Sequence, residues 1–161
     1  MQVIKGTEIV EDHWCFVDGE AVDGLGDADI IVSFSHWREA RDGLTGRNGG
    51  LGVQLEPDDA VEEIAEDLDR FQVIALNFPS FTDGRHYSTA RLLRERYGYR
   101  GELRAVGDVL RDQIFYLHRC GFDAYAPNPG HKIEDVLEGL KDFTVTYQPA
   151  ADEPLPLFRR G

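Results

Sequence analysis

The strongest constraint on the fold is an alternation of short apolar segments with amphipathic helical patterns between residues 26 and 147. Five strand–helix units follow one another there. Residues 30–34 and 71–78 are nearly continuous apolar runs, as expected of strands that are covered on both faces. Because each crossover helix returns the chain to the edge where the strand began, the units predict an α/β domain with a parallel sheet.

Two architectures fit this alternation. The first is a single doubly wound, mostly parallel sheet of flavodoxin-like or receiver-like order, with an N-terminal β-hairpin; the second is a partial (βα) barrel. We favour the open sheet, because residues 71–129 resemble the second half of a response-regulator receiver domain. Asn77 stands where a receiver has its phosphorylated Asp, so phosphorelay chemistry is not expected.

The sequence predicts three regions. Residues 1–25 form an N-terminal β-hairpin appendage, with turns at Lys5-Gly6-Thr7 and Asp18-Gly19 and a return strand over 20–22. Residues 26–147 form the α/β domain, which ends with a helix over 131–142 and a strand over 144–147. Residues 148–161 contain three prolines and no periodicity, which is typical of a flexible tail.

The charge distribution separates the chain into acidic and basic parts. The net charge of −13 disfavours general nucleic-acid binding, because phosphate repels such a surface. Residues 85–119 nevertheless hold eight arginines against four acidic residues. This asymmetry suggests an anionic ligand or an acidic partner. Alternatively, the arginines pair with acidic helices of the same fold.

Neither a membrane span nor a metal site is expected from the sequence. No apolar run approaches the ~20 residues of a membrane helix, and the N-terminus lacks a secretory pattern, so we expect a cytoplasmic protein. Cys15 and Cys120 lack metal spacing and are interpreted as small buried thiols. The five histidines lack metal spacing and are interpreted as surface or loop residues.

The loop over residues 77–88 and the polar segment GDVLRDQ are the candidate binding elements. Both follow strands of the predicted sheet, and ligands of parallel sheets bind at the carboxyl ends of the strands. We expect Ser88 to cap the following helix, Asp108 to cap the next one, and the arginines to bind a carboxylate, phosphate or sulfur oxyanion. The candidate ligand-binding residues are Phe81, Asp83, Gly84, Arg85, Tyr87, Ser88, Arg91, Arg104, Gly107, Asp108, Arg111, Asp112 and Gln113.

Two structural alternatives stay open for these elements. Asp83-Gly84 is also an ordinary turn pair, and polar groups such as those of GDVLRDQ commonly tie loops together. No catalytic residue can be assigned, because no nucleophile motif and no nucleotide fingerprint is present.

One long stretch resembles a known bacterial family. FPSFTDGRHYSTARLLRERYGYRGELRAVGDVLRDQIFYLHRCGFDAY, residues 78–125, is similar to domain of unknown function 934, and LGVQLEPDD and IAEDLDRFQVIALNF also match its pattern. The blocks FTDGR and RAVGDVLRDQ are the most specific. His86 departs from the family, which more often has Gly there.

The family is described as an oxidoreductase of sulfite reduction, encoded beside sulfite reductase genes. The resemblance implies a role in assimilatory sulfate reduction. The best physical fit to that role is an accessory protein that docks on sulfite reductase or on its electron donor, or helps its assembly. The chain itself has too few cysteines for the usual four ligands of an iron–sulfur cluster. One alternative is a small oxidoreductase or sensor that binds a sulfur oxyanion or a flavin at the arginine-lined rim. The flavin is suggested by fold analogy alone, and no cofactor is evident from the sequence. Another alternative is a structural domain without a ligand.

Overall fold

The computed structural model describes residues 1–18 and 25–146, and of residues 142–146 it describes the backbone alone. Within these residues, eight strands form one mixed sheet. The strands are β1 (Gln2–Lys5), β2 (Glu8–Glu11), β3 (Cys15–Val17), β4 (Ile30–Ser33), β5 (Leu51–Leu55), β6 (Val73–Phe78), β7 (Glu102–Gly107) and β8 (Ala124–Pro127).

Helical segments connect the strands from β4 onward. They are α1 (Phe34–Thr45), a 3-10 helix (Val61–Arg70), α2 (Arg85–Arg91), a π-helix (Leu92–Arg96) that continues α2, α3 (Arg111–Cys120) and α4 (Ile133–Thr146). Local signals explain several of the ends. The Ser33 hydroxyl accepts a hydrogen bond from the His36 N–H at the start of α1. Gly121, with a φ of +119°, ends α3 in the left-handed conformation.

The strand order is β2-β1-β8-β7-β6-β5-β4-β3. Strands β3 to β8 are parallel neighbours in sequence order, whereas β1 pairs antiparallel with β8 and with β2. The prediction of a single doubly wound, flavodoxin-like sheet is wrong. That architecture requires the strand order to reverse, and here it never does, so right-handed crossovers place every helix on one face. The sheet forms a mixed half-barrel, which the alternative of a partial (βα) barrel describes better.

The short link between β2 and β3 shows how strongly the sheet curves. These strands are the two edges of the sheet, yet only residues 12–14 join them. Four Cα–Cα steps span at most about 15 Å. The edges of a flat eight-stranded sheet would lie about 34 Å apart at the usual strand spacing. The edges must therefore bend towards each other around a concave interior.

The two faces of the sheet bury different side chains. The convex face packs against every helix and forms the main core, with Ile74 and Leu76 of β6 fully buried. The concave face carries a second small cluster of Ile31, Val73 and Ala75, against which Trp14 packs. Most of the hydrophobic stabilisation therefore lies between sheet and helices.

Residues 12–14, here called the strap, lie against the concave face. Asp12 pairs with the buried Arg104 of β7, with 2.9 Å between Oδ2 and Nη1. Arg104 also donates from Nε to Glu102 Oε2 at 2.7 Å. His13 contacts Asp29, and its Nε2 lies 2.7 Å from Asp29 Oδ2. The strap thus fixes the N-terminal strands to the centre of the sheet.

The N-terminal predictions have mixed outcomes. The hairpin around Lys5-Gly6-Thr7 is confirmed: β1 and β2 pair antiparallel, and Gly6 has a φ of +63°. These strands join the same sheet as the rest of the chain. The predicted return strand over 20–22 and the tail over 148–161 lie outside the described residues.

Two predicted element boundaries are wrong. α4 continues to Thr146, so residues 144–146 are helical and not a strand. α3 begins at Arg111, with Leu110 at its N-cap position, so Asp108 does not cap it.

Among the described residues, no helix is both long and apolar enough to cross a membrane.

Candidate functional site

The loop between β6 and α2 presents Phe81 at the carboxyl ends of the strands. Phe81 is 48% exposed, although both polar groups of its main chain are bound by side chains. The Phe81 N–H donates to Asp108 Oδ2 at 2.8 Å, and Gln113 donates from Nε2 to the Phe81 carbonyl at 2.6 Å. Side chains from the neighbouring unit therefore fix an apolar group in an exposed position.

Asp108 links three consecutive segments of the rim. While Oδ2 accepts from the Phe81 N–H, Oδ1 lies 3.1 Å from Nε2 of His131, which precedes α4. The Asp108 N–H donates to the Phe78 carbonyl at 2.8 Å. Asp108 thus ties loops together, as the structural alternative for this segment proposes. His131 belongs to this network, and its spacing in the sequence gave no signal of that.

Arg85 is held by two carboxylates. It donates from Nη2 to Asp83 Oδ2 at 2.7 Å and from Nη1 to Asp58. The side-chain hydrogen bond from Arg85 lowers the pKa of Asp83 to about 2, and the bond to Asp83 raises the pKa of Arg85 above its usual range. Arg85 is therefore engaged within the fold and not left open for an anion.

Two of the other three arginines expected at the rim are also paired with carboxylates. Arg111 contacts Asp135 of α4 with 2.9 Å between Nη1 and Oδ1. Arg104 lies within β7, on the concave face and only 2% exposed, where it pairs with Asp12 and Glu102. The expectation that Arg104 joins the rim is wrong, because alternation along β7 directs its side chain to the concave side.

A different group of predicted residues meets along the seam between α2 and α3. The Tyr87 ring packs against the Tyr116 ring with centroids 5.0 Å apart. Arg91 Nη2 lies 3.5 Å from the Tyr116 hydroxyl, and its guanidinium lies over the Tyr116 ring at 6.0 Å. Ser88 lies inside α2, one turn before Arg91, so the expectation that it caps the helix is wrong.

The remaining predicted residues have local roles. Gly107 ends β7 with a φ of +94°. Gly84 occupies the N-cap position of α2, and a Cβ there would lie 3.3 Å from the Tyr87 ring. Asp112 is exposed and makes no hydrogen bond or ion pair with the other residues that the structure describes. The two glycines shape the backbone around Phe81.

His86 and Cys15 differ from their predicted environments. His86 is 1% exposed, with Nε2 placed 3.1 Å from the Leu55 carbonyl, so its prediction as a surface or loop residue is wrong. Burial lowers the pKa of His86 to about 4. Cys120 is buried as predicted, whereas Cys15 is exposed. The burial of His86 follows from a neighbour that is distant in sequence, Leu55 of β5.

Comparison with known families now adds to this geometry. The family model described as "Bacterial protein of unknown function (DUF934)" matches residues 52–158. The chain belongs to the DUF934 family. The match includes Phe81, Asp108 and Gln113, so the Phe81 loop and the two side chains that bind its main chain lie within the DUF934 region. No curated protein matches the sequence.

Arguments for a cofactor lose support from this fold. The flavin hypothesis used the analogy of a doubly wound sheet, whose ligand crevice lies where the strand order reverses. The observed order has no reversal from β3 to β8. In the part of the chain that the structure describes, no group of three His, Cys, Asp or Glu side chains could hold a metal ion.

Proposed function

We propose that this chain is a cytoplasmic accessory protein of assimilatory sulfite reduction, which docks through Phe81 on sulfite reductase or on its electron donor. The link to sulfite reduction comes from the resemblance to the family. The docking role is supported by one observation: the exposed Phe81 ring is held by hydrogen bonds to both sides of its main chain. A fixed aromatic group loses little conformational entropy on association, which is typical of interface hot spots.

The charges around Phe81 favour a basic partner. Glu56, Asp58, Asp83 and Asp108 all lie at this rim, and the chain carries a net charge of −13. Complementary charge accelerates encounter between partners and aligns them before the apolar contact forms. We therefore infer that the docking face of the partner is rich in Lys and Arg.

The alternative of a binding site for a sulfur oxyanion receives less support. Arg85 and Arg111 are paired with carboxylates, and an oxyanion would have to displace those partners. An acidic rim would also repel the ligand.

A pull-down with tagged full-length chain tests the proposal. We expect sulfite reductase or its electron donor to bind the wild-type chain, and Phe81→Ala to weaken binding about ten-fold or more. Phe16→Ala is the matched control, because Phe16 is 49% exposed on the edge strand β3, away from the rim. The proposal would be contradicted if neither sulfite reductase nor its electron donor bound the wild-type chain. It would also be contradicted if Phe81→Ala and Phe16→Ala weakened binding equally.

A second variant separates the ring from its support. Asp108→Ala keeps the Phe81 ring but removes the acceptor of its N–H, so we expect faster hydrogen exchange at Phe81 together with weaker binding. Asp112→Ala, in the same segment but without a bond, should change neither measurement. If Asp108→Ala accelerates exchange and leaves binding unchanged, the fixed ring is not what the partner recognises.

A further inference from the structure

The arginines of residues 85–119 differ in their partners, and Arg94 is one that contacts a carboxylate, that of Asp123. Arg85, Arg104 and Arg111 are paired with carboxylates. Arg91 and Arg96 have no carboxylate partner among the described residues, although the protein has a large excess of acid. These two guanidinium groups are therefore not held by a carboxylate, whereas those near Phe81 are.

Arg91 and Arg96 lie on the same shallow groove. It runs along the outer face of α2 and the π-helix, and its volume is about 270 Å³. The lining residues are Ser88, Arg91, Leu92, Glu95 and Arg96. They recur at positions three or four apart, so one helix face presents a hydroxyl, an apolar side chain and two guanidinium groups against one carboxylate. We name this surface the α2 groove.

Aromatic groups border the α2 groove on the side of α3. Tyr116 is 49% exposed, and its ring is held between Tyr87 and the Arg91 guanidinium. Tyr and Arg are the residue types most enriched at protein–protein hot spots. The π-helix of residues 92–96 adds a second feature, because such irregular turns occur frequently at functional sites.

The shape and the charge of the groove select the kind of ligand. Small-molecule sites enclose most of their ligand, and this open groove does not. Polyanionic surfaces such as nucleic acid or anionic lipid would be repelled by the net charge of −13. A short acidic segment of a protein avoids most of that repulsion, and an apolar side chain on it can pack against Leu92.

We propose that the α2 groove binds an acidic peptide segment of a partner protein, with its carboxylates on Arg91 and Arg96 and an apolar side chain on Leu92. The proposal is independent of docking through Phe81, because that ring lies at the rim and is not part of the groove lining. One partner can use both surfaces. A basic region of it then binds the rim around Phe81, and an acidic region binds the α2 groove.

Fluorescence anisotropy of the full-length chain with a short labelled peptide of alternating Glu and Leu tests the proposal. We expect saturable binding that weakens between about 50 mM and about 500 mM salt. A peptide of alternating Gln and Leu, which lacks the carboxylates, should not bind the α2 groove. Arg91→Gln combined with Arg96→Gln should weaken binding at least about three-fold. Arg38→Gln combined with Lys132→Gln, which removes the same charge from exposed positions elsewhere, should leave binding unchanged.

A variant that is expected to strengthen binding, and not to weaken it, makes the test sharper. Glu95→Gln removes the one carboxylate of the groove and should tighten binding of the acidic peptide. Phe81→Ala should leave binding of this peptide unchanged, which separates this site from the proposed docking rim. The proposal is overturned if the wild-type chain does not bind the peptide, if both double variants bind it equally, or if Glu95→Gln weakens binding.

Discussion

At the scale of single residues, His86 shows how burial changes the chemistry of a side chain. It lies within α2, with its Nε2 against the Leu55 carbonyl and its ring 5.7 Å from the Phe78 ring. A carbonyl oxygen can only accept, so Nε2 carries the proton and donates. Removal from water disfavours the imidazolium form and lowers the pKa of His86 to about 4, from a usual value of 6.5.

This shift predicts a loss of stability in mild acid. Between pH 6.5 and pH 4 the unfolded chain binds a proton at His86 that the folded chain does not. The free energy of unfolding therefore falls as the pH falls through this window, by at most about 3 kcal/mol. Urea denaturation at several pH values should show a shallower dependence for His86→Gln. Equal slopes for His86→Gln and wild type would refute the assignment.

The environment of a single side chain was predictable only where residues close to it in sequence determine that environment. The turn at Lys5-Gly6-Thr7 is local, and the sequence predicts it correctly. The burial of His86 depends on β5, about 30 residues away, and the pairing of Arg104 depends on Asp12. The clustering of Asp108 and Gln113 near Phe81 was expected from strand direction, yet their role as a clamp on its main chain was not.

At the scale of elements, the end of β7 depends on Gly107. Its φ of +94° is strained for any residue with a side chain, and a Cβ there would lie 2.5 Å from the Phe78 carbonyl oxygen. This turn directs the following residue, Asp108, towards the Phe81 loop. The geometry of the candidate docking loop thus depends on the conformation at the end of its neighbouring strand.

Gly107→Ala should consequently destabilise the protein by about 2 kcal/mol or more. Thermal unfolding measures the change, and hydrogen exchange at Phe81 should rise with it. Gly43→Ala is the matched control, because Gly43 lies inside α1 and a Cβ there meets nothing within 4 Å. That substitution should stabilise the protein by up to about 1 kcal/mol. Similar effects of the two changes would contradict this account.

The sequence predicts the elements better than their boundaries. Strand β6 and the amphipathic helices follow from apolar periodicity, whereas the start of α3 does not. Asp108 looks like a helix cap, but its carboxylate bonds to Phe81 and contacts His131 instead, so the helix begins three residues later. Long-range hydrogen bonds here override a local capping preference.

At the scale of the whole molecule, strand alternation could not distinguish an open sheet from a half-barrel. Both architectures have the same series of strands and crossover helices. The difference lies in whether the strand order reverses, which depends on pairings distant in sequence, such as that of β1 with β8. The strap is equally invisible in the sequence, because its partners lie on other strands.

The contact of the strap with the sheet predicts a large cost for Asp12→Ala. The side chains of Asp12 and Arg104 are 9% and 3% exposed, so the substitution removes one carboxylate from a buried guanidinium. We expect a loss of about 3–5 kcal/mol in urea denaturation. Asp12→Leu combined with Arg104→Met should recover most of it. Arg38→Gln, which breaks an exposed pair with Glu63, should cost less than about 1 kcal/mol. A small effect of Asp12→Ala would show that Glu102 alone satisfies Arg104.

The antiparallel pairing of β1 with β8 also sets an order for assembly during translation. Lys5 lies opposite Ala124 in the register, so β1 cannot pair with β8 until the residues between them have been synthesised. The parallel strands from β4 to β7 can join in the order of their synthesis, whereas β1, β2 and the strap must wait. β1 is therefore synthesised before β4 to β7 and yet joins the sheet after them.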